Sequence, residues 1–155
     1  MIRTREAASP VKENDIASFE RAHGIVLPPA YRQFLLKRNG GRPERDRCII
    51  PNFPPDPIAR IHFFFGLGYD IDGYDLAWNR KLYSAPEFLV IATTEGADTF
   101  CIGVAGEYCG QVFFWDGGGD ETNEHRLHRV ANSFEEFING LFRDELSPKM
   151  DEKPS

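Results

Sequence analysis

Cysteine is scarce in this chain: Cys48, Cys101 and Cys109 are the only three in 155 residues. Their odd number and unrelated spacings exclude a disulfide framework and fit reduced thiols, so a cytoplasmic location is expected. Long apolar runs are missing too. No stretch approaches the ~20 consecutive apolar residues that a spanning helix needs, and no membrane segment is expected. The opening residues, Met1-Ile2-Arg3-Thr4-Arg5-Glu6, lack the apolar core of a secretory signal. Basic side chains are absent over a long central stretch, with none between Lys81 and Arg126. A net charge of −6 argues against direct nucleic-acid binding, which needs Lys and Arg to displace counterions from phosphates.

Catalytic and metal-binding signatures are equally thin. No G-x-S-x-G elbow is present, and Cys101 and Cys109 have no Lys or Arg beside them to lower a thiol pKa. Gly117-Gly118-Gly119 is followed by Asp120-Glu121, which would repel the anion that a phosphate loop exists to hold. Asp70-Ile71-Asp72-Gly73-Tyr74-Asp75 alternates carboxylates ahead of a glycine, as calcium loops do. Setting Gly73 at the sharp turn, however, puts Gly68 at the first ligand position and Asn79 where a bidentate glutamate is required. His125 and His128 with Cys101 and Cys109 lack the tight pairing of structural zinc sites, and an extended backbone points the two histidines to opposite faces. Neither metal nor cofactor is expected. Carboxylates are numerous, but no context singles out a glycosidase-like pair; an enzymatic reading would start from Glu95 and Asp98.

What the chain does have is apolar bulk. With 41% hydrophobic residues, including 13 Phe, 5 Tyr and 2 Trp, it has enough to build one globular domain. A chain of this length buries roughly 70% of its unfolded surface. Ile16, Phe19 and His23 recur at helical spacing over 14–23, with Asn14 or Asp15 as the cap and Gly24 as the stop. Pro28-Pro29 opens a second helix carrying Tyr31, Phe34 and Leu35 on one face, and Asn39-Gly40-Gly41 ends it. Residues 42–57, rich in proline, read as a loop. Strands are expected at 61–65, 89–92, 99–104, 111–115 and near 126–130, most simply connected as an antiparallel meander. Ser133-Phe134-Glu135-Glu136 is a capping box for a last helix running to about Leu146 and burying Phe134, Phe137, Ile138, Leu141 and Phe142. The chain thus divides into an N-terminal segment (1–13), one domain (14–146) and a polar tail (147–155).

Charge is segregated along this frame. Residues 1–60 carry 11 basic and 7 acidic side chains, whereas 61–125 carry 2 and 11. Either strand ends are solvated by carboxylates, or an acidic face steers a basic partner.

The ordered set Ile16-x-x-Phe19-Glu20, Gly24-x-x-Leu27-Pro28-x-x-Tyr31-x-x-Phe34-Leu35 and Asn39-Gly40-Gly41 resembles the N-terminal signature of the SUKH superfamily. That group includes the fungal cell-wall-synthesis regulators. Phe65-Gly66-Leu67, Leu89-Val90-Ile91-Ala92, Gly110 to Asp116 and Val130 to Ile138 follow in the family's order, so the resemblance spans roughly 14–142. One departure is Glu95-Gly96-Ala97-Asp98, where relatives commonly carry a Gly-Gly-Asp or Gly-Asn turn. The resemblance implies an α+β domain, with helices packed on a twisted, mostly antiparallel sheet and a C-terminal helix, and without catalytic activity. Bacterial members are similar to immunity proteins that bind and neutralise a cognate toxin, often a nuclease or deaminase with a basic cleft. The alternative the family offers is a regulatory or scaffolding module. On the toxin-binding reading, Asp70, Asp72, Asp75, Glu95, Asp98, Asp116, Asp120 and Glu121 are the expected contacts. Trp115 or Tyr74 would serve as aromatic anchor, although core packing is the simpler expectation for Trp115.

Overall fold

The computed structural model describes residues 2–51, 53, 57–82, 85–117 and 127–144. Helix α1 (Glu13–His23) starts at a Lys12 N-cap, ahead of the expected cap at Asn14 or Asp15, because Asp15 in its first turn accepts the Lys12 backbone N–H at 2.8 Å. Ile16 and Phe19 face inward. Helix α2 (Pro29–Lys37) opens at the proline pair and buries Tyr31, Phe34 and Leu35. Glu20 joins the two helices, accepting from the Leu27 backbone N–H at 2.7 Å and from the Arg32 guanidinium at 2.9 Å.

The end of α2 is a packed junction. Asn39 is 3% exposed; its amide nitrogen donates to the Ser9 and Leu67 carbonyls, each at 2.8 Å, and its Oδ1 accepts from the Leu67 backbone N–H at 2.9 Å. Gly40 has φ 83°, and a Cβ there would sit 2.7 Å from the Phe64 carbonyl oxygen. Only glycine meets both conditions. Through this junction the N-terminal segment joins the fold: Ile2 is buried, and strand β1 (Thr4–Arg5) pairs antiparallel with β2 (Arg42–Pro43).

Residues 42–57 are not simply a loop. Strands β3 (Arg47–Ile49) and β4 (Ile58–Arg60) form a hairpin, and every proline of 42–57 except Pro43 falls in the sequence between them. Proline cannot donate to a ladder, which is why composition concealed the strands on either side. The main sheet is the expected meander: β5 (Phe63–Phe64), β6 (Phe88–Thr93), β7 (Thr99–Gly103), β8 (Val112–Trp115) and β9 (Leu127–Ala131), each antiparallel to the next. Only Phe63 and Phe64 of the expected 61–65 strand join the ladder. Helix α3 (Leu76–Leu82), which sequence pattern did not indicate, packs against β6 after a 3-10 turn at Asp72–Tyr74.

The register sorts side chains between two faces. Phe64, Ala92, Phe100 and Phe114 fall on the inner face, against Phe134 and Phe137 of α4 (Phe134–Gly140) and Phe34 of α2. Paired positions Phe63, Thr93, Thr99, Trp115 and Leu127 form one row on the outer face, and Val90, Cys101, Phe113 and Arg129 a second. Ser133 caps α4, its hydroxyl accepting from the Glu136 backbone N–H at 3.0 Å. The helix ends at Gly140 rather than near 146, because the backbone turns extended at Leu141 and Phe142 then exchanges hydrogen bonds with Arg47. Phe142 is therefore half-buried beside β3, away from the core face expected for it.

Candidate protein-binding surface

The carboxylates expected to meet a partner do not form one group. Asp70 and Asp72 are exposed in the segment leading into α3. Asp75 is half-buried: its Oδ2 accepts from the Trp78 backbone N–H at 3.0 Å and its Oδ1 from the Gly68 N–H at 2.8 Å. The Trp78 bond is helix capping, and it explains the start of α3. Asp98 accepts from the Gly117 N–H at 2.9 Å and ties the β6–β7 turn to the end of β8. Glu95 is exposed on that turn, 3.6 Å from the Arg60 guanidinium and 3.9 Å from His62 Nδ1. Asp116 is half-buried directly after Trp115. Asp120 and Glu121 lie outside the described residues.

Much of the positive charge of the N-terminal third is engaged by acids. Arg42 pairs with Glu6, Arg60 with Asp46 at 3.0 Å, and Arg47 with Asp46 and Asp144 at 3.6 and 3.8 Å. Such solvated pairs contribute about 0–1 kcal/mol each. Their consequence is electrostatic: Glu95 sits among cations, while Asp70 and Asp72 make no ion pair with any described residue.

Two aromatic expectations separate. Tyr74 stacks on Phe63 with centroids 4.0 Å apart, and Tyr69 meets the same ring edge-on at 5.3 Å. The Tyr69 hydroxyl donates to the Glu6 carbonyl at 2.9 Å, and burial pushes its pKa up to about 12. Tyr74 thus covers the sheet edge. Trp115, expected in the core, is instead 37% exposed, because alternation along β8 sends Val112 and Phe114 inward and Phe113 and Trp115 outward.

The structure adds apolar residues that the sequence reading missed. Ile71 is 60% exposed, Trp78 41% and Leu82 57%. Trp78 and Leu82, four apart on α3, share its outward side while Leu76 and Asn79 face in. The i, i+4 spacing of Trp78 and Leu82 is legible in the sequence in principle. Exposed apolar groups beside carboxylates are the composition of a protein-binding surface.

Reactive chemistry finds little purchase. Burial raises the Cys48 and Cys101 thiols to about 12, so neither forms a thiolate near neutral pH. Among the described residues no cluster of three or more His, Cys, Asp or Glu could hold a metal ion. No helix among them is long and apolar enough to cross a membrane. The family model for SMI1 / KNR4 (SUKH-1) matches residues 10–140. The chain belongs to that family. The SUKH-1 match covers α1, α2, the hairpin, the whole meander and α4, so Asn39 and Ser133 lie within it. SUKH domains are α+β modules of immunity and regulation, generally without catalysis. No curated protein matches this SUKH-1 chain.

Proposed function

We propose that this SUKH-1 domain acts in the cytoplasm as a non-catalytic immunity protein, binding a cognate toxin stoichiometrically through an acidic surface. One observation carries the choice of surface: Asp70 and Asp72 stand exposed in the same short segment as Ile71, Trp78 and Leu82. Carboxylates accelerate encounter with a basic cleft, and desolvated aromatic groups then supply affinity. A nuclease or deaminase, whose cleft must attract nucleic acid, is the toxin class that fits. Asp75 supports this segment from within by capping α3, whereas Asp98 and Glu95 belong to the β6–β7 turn.

Co-expression with the toxin-like product of a neighbouring reading frame tests this reading. Rescue of growth by the native protein, and its loss in the Asp70→Lys/Asp72→Lys variant with unchanged melting temperature, is the expected result. Capture of several unrelated host proteins without rescue from any toxin would assign a regulatory role instead.

A further inference from the structure

The two edges of the main sheet end differently. At β5, the Phe64 N–H donates to the Gly41 carbonyl at 2.8 Å and the Phe64 carbonyl accepts from the Gly41 N–H at 3.0 Å, so the chain itself closes that edge. The other edge is β9, and the alternation of antiparallel bonds fixes which of its backbone groups point away from the sheet. On the β8 side, Gly103 donates to the Gln111 carbonyl and accepts from the Gly110 N–H, each at 2.9 Å, so Cys101 and Thr99 bond toward β8 as well. Their partners Phe113 and Trp115 therefore face β7, and Phe114 is left to bond His128. The N–H and C=O groups of Leu127 and Arg129, on either side of His128, point outward. No described residue makes a backbone hydrogen bond to them from that side. An open groove of about 440 Å³, also lined by Pro51 and Glu136, touches every residue from His128 to Asn132. Successive strand residues alternate between faces, so a space in contact with all of them lies along the edge.

A row of alternating backbone donors and acceptors is matched by another extended backbone. This row fits its own copy. Antiparallel pairing about His128 sets Leu127 opposite Arg129 of the second copy and Arg129 opposite its Leu127, and every outward N–H then finds an outward C=O. Pairing about Arg129 instead opposes like charges and carries Leu127 onto Ala131, whose backbone is turned to Val112 of β8. Beyond Arg129 the register shift leaves Val130 as the extra residue of a bulge, which ends the row there. Arg129 is exposed, so a basic toxin segment would meet like charge at this edge, whereas a second copy brings Leu127 to it. We infer that β9 pairs with β9 of a second copy, joining two meanders into one continuous antiparallel sheet about a two-fold axis. Because the β5 edge is closed, the pairing stops at a dimer. The dimer goes beyond the toxin-binding reading and does not depend on it.

Sedimentation velocity of the full chain, from micromolar to millimolar concentration, should show reversible dimerisation. Arg129→Pro removes an outward N–H from each copy without touching a bond to β8, and edge strands accept proline where the N–H faces outward. It should weaken association about tenfold or more, while Arg129→Ala, which keeps that N–H, retains the dimer. Cross-linking decides the question if the proline variant does not fold. At His128 the two copies are directly opposed in a non-hydrogen-bonded pair, about 4.5 Å between Cα atoms, which is within disulfide range. In a Cys109→Ser background, which removes the exposed native thiol, His128→Cys should cross-link under mild oxidation, and Lys37→Cys, exposed on α2, should not. A monomer at every concentration, a dimer indifferent to Arg129→Pro, or cross-linking as ready in Lys37→Cys as in His128→Cys would overturn the inference. Toxin rescue by a monomeric protein removes the dimer alone, whereas a dimer without rescue from any toxin removes the neutralising role and leaves the pairing.

Discussion

Replacing Asn39 should be among the most damaging single polar substitutions in the molecule, and its cost follows from three contacts. The side chain is 3% exposed and holds the Ser9 carbonyl, the Leu67 carbonyl and the Leu67 N–H at 2.8, 2.8 and 2.9 Å. Asn39→Ala leaves all three backbone groups without their partner. At about 1 kcal/mol of net stability per hydrogen bond the loss is about 3 kcal/mol, and more if the orphaned groups stay dry. For a domain of this size that lowers the melting temperature by about 6–12 °C. Urea unfolding at pH 7, with an unchanged slope and a lowered midpoint, is the assay. Asn39→Asp should be worse still, because it turns an oxygen toward two carbonyl oxygens and buries a charge. Burial raises such a carboxyl's folded pKa above its unfolded value, so the penalty is full at neutral pH and shrinks as pH falls and the group protonates. A loss below about 1 kcal/mol for Asn39→Ala, or an aspartate variant that improves with rising pH, would refute the reasoning.

Three further predictions concern stability. The Tyr31 hydroxyl is fully buried with no hydrogen-bond partner among the described residues, so Tyr31→Phe should raise the urea midpoint by the equivalent of about 1 kcal/mol or more, and a lowered midpoint would reveal a partner. A Cβ at Gly103 would overlap the Tyr108 carbonyl, so Gly103→Ala should cost about 1–3 kcal/mol by forcing the β7–β8 connection apart, measurable by the same titration. Burial, followed by the charges of Arg80 and Lys81, lowers the His23 pKa. Below its unfolded value of about 6.5 the unfolded chain therefore binds the proton more readily, and stability falls with pH; His23→Gln should lose less between pH 7.5 and 5.5 than the native protein.

Much of the scaffold was readable because local chemistry and tertiary packing agree there. Pro28-Pro29 can only begin a helix, Asn39-Gly40-Gly41 can only sit where positive φ and close backbone approach are needed, and Ser133 caps as a serine three residues before a glutamate should. The meander from Phe88 to Trp115 was legible from its β-branched and aromatic runs. The β3–β4 hairpin was not, since prolines in its connection masked three-residue strands. Nor was α3, whose start depends on Asp75 acting as a cap rather than as a surface charge. The same difficulty divided the acidic set. Sequence shows that a residue is acidic, but not whether its oxygens face solvent, as in Asp70 and Asp72, or backbone N–H groups, as in Asp75 and Asp98. Trp115 was misjudged for a related reason: alternation fixes which β8 residues share a face, while only the packed helices decide which face is covered.

The central claim is that exposed carboxylates of the 70–82 segment guide a basic toxin onto the domain. The most direct measurement is the association rate with a toxin identified by the co-expression rescue, at low and at physiological ionic strength, for the native protein and for Asp70→Lys/Asp72→Lys. The account predicts a rate for the native protein that falls about tenfold or more as salt screens the charges, and a variant that starts slow and barely responds to salt. Equal rates and equal salt dependence for the two proteins, at equal thermal stability, would contradict it.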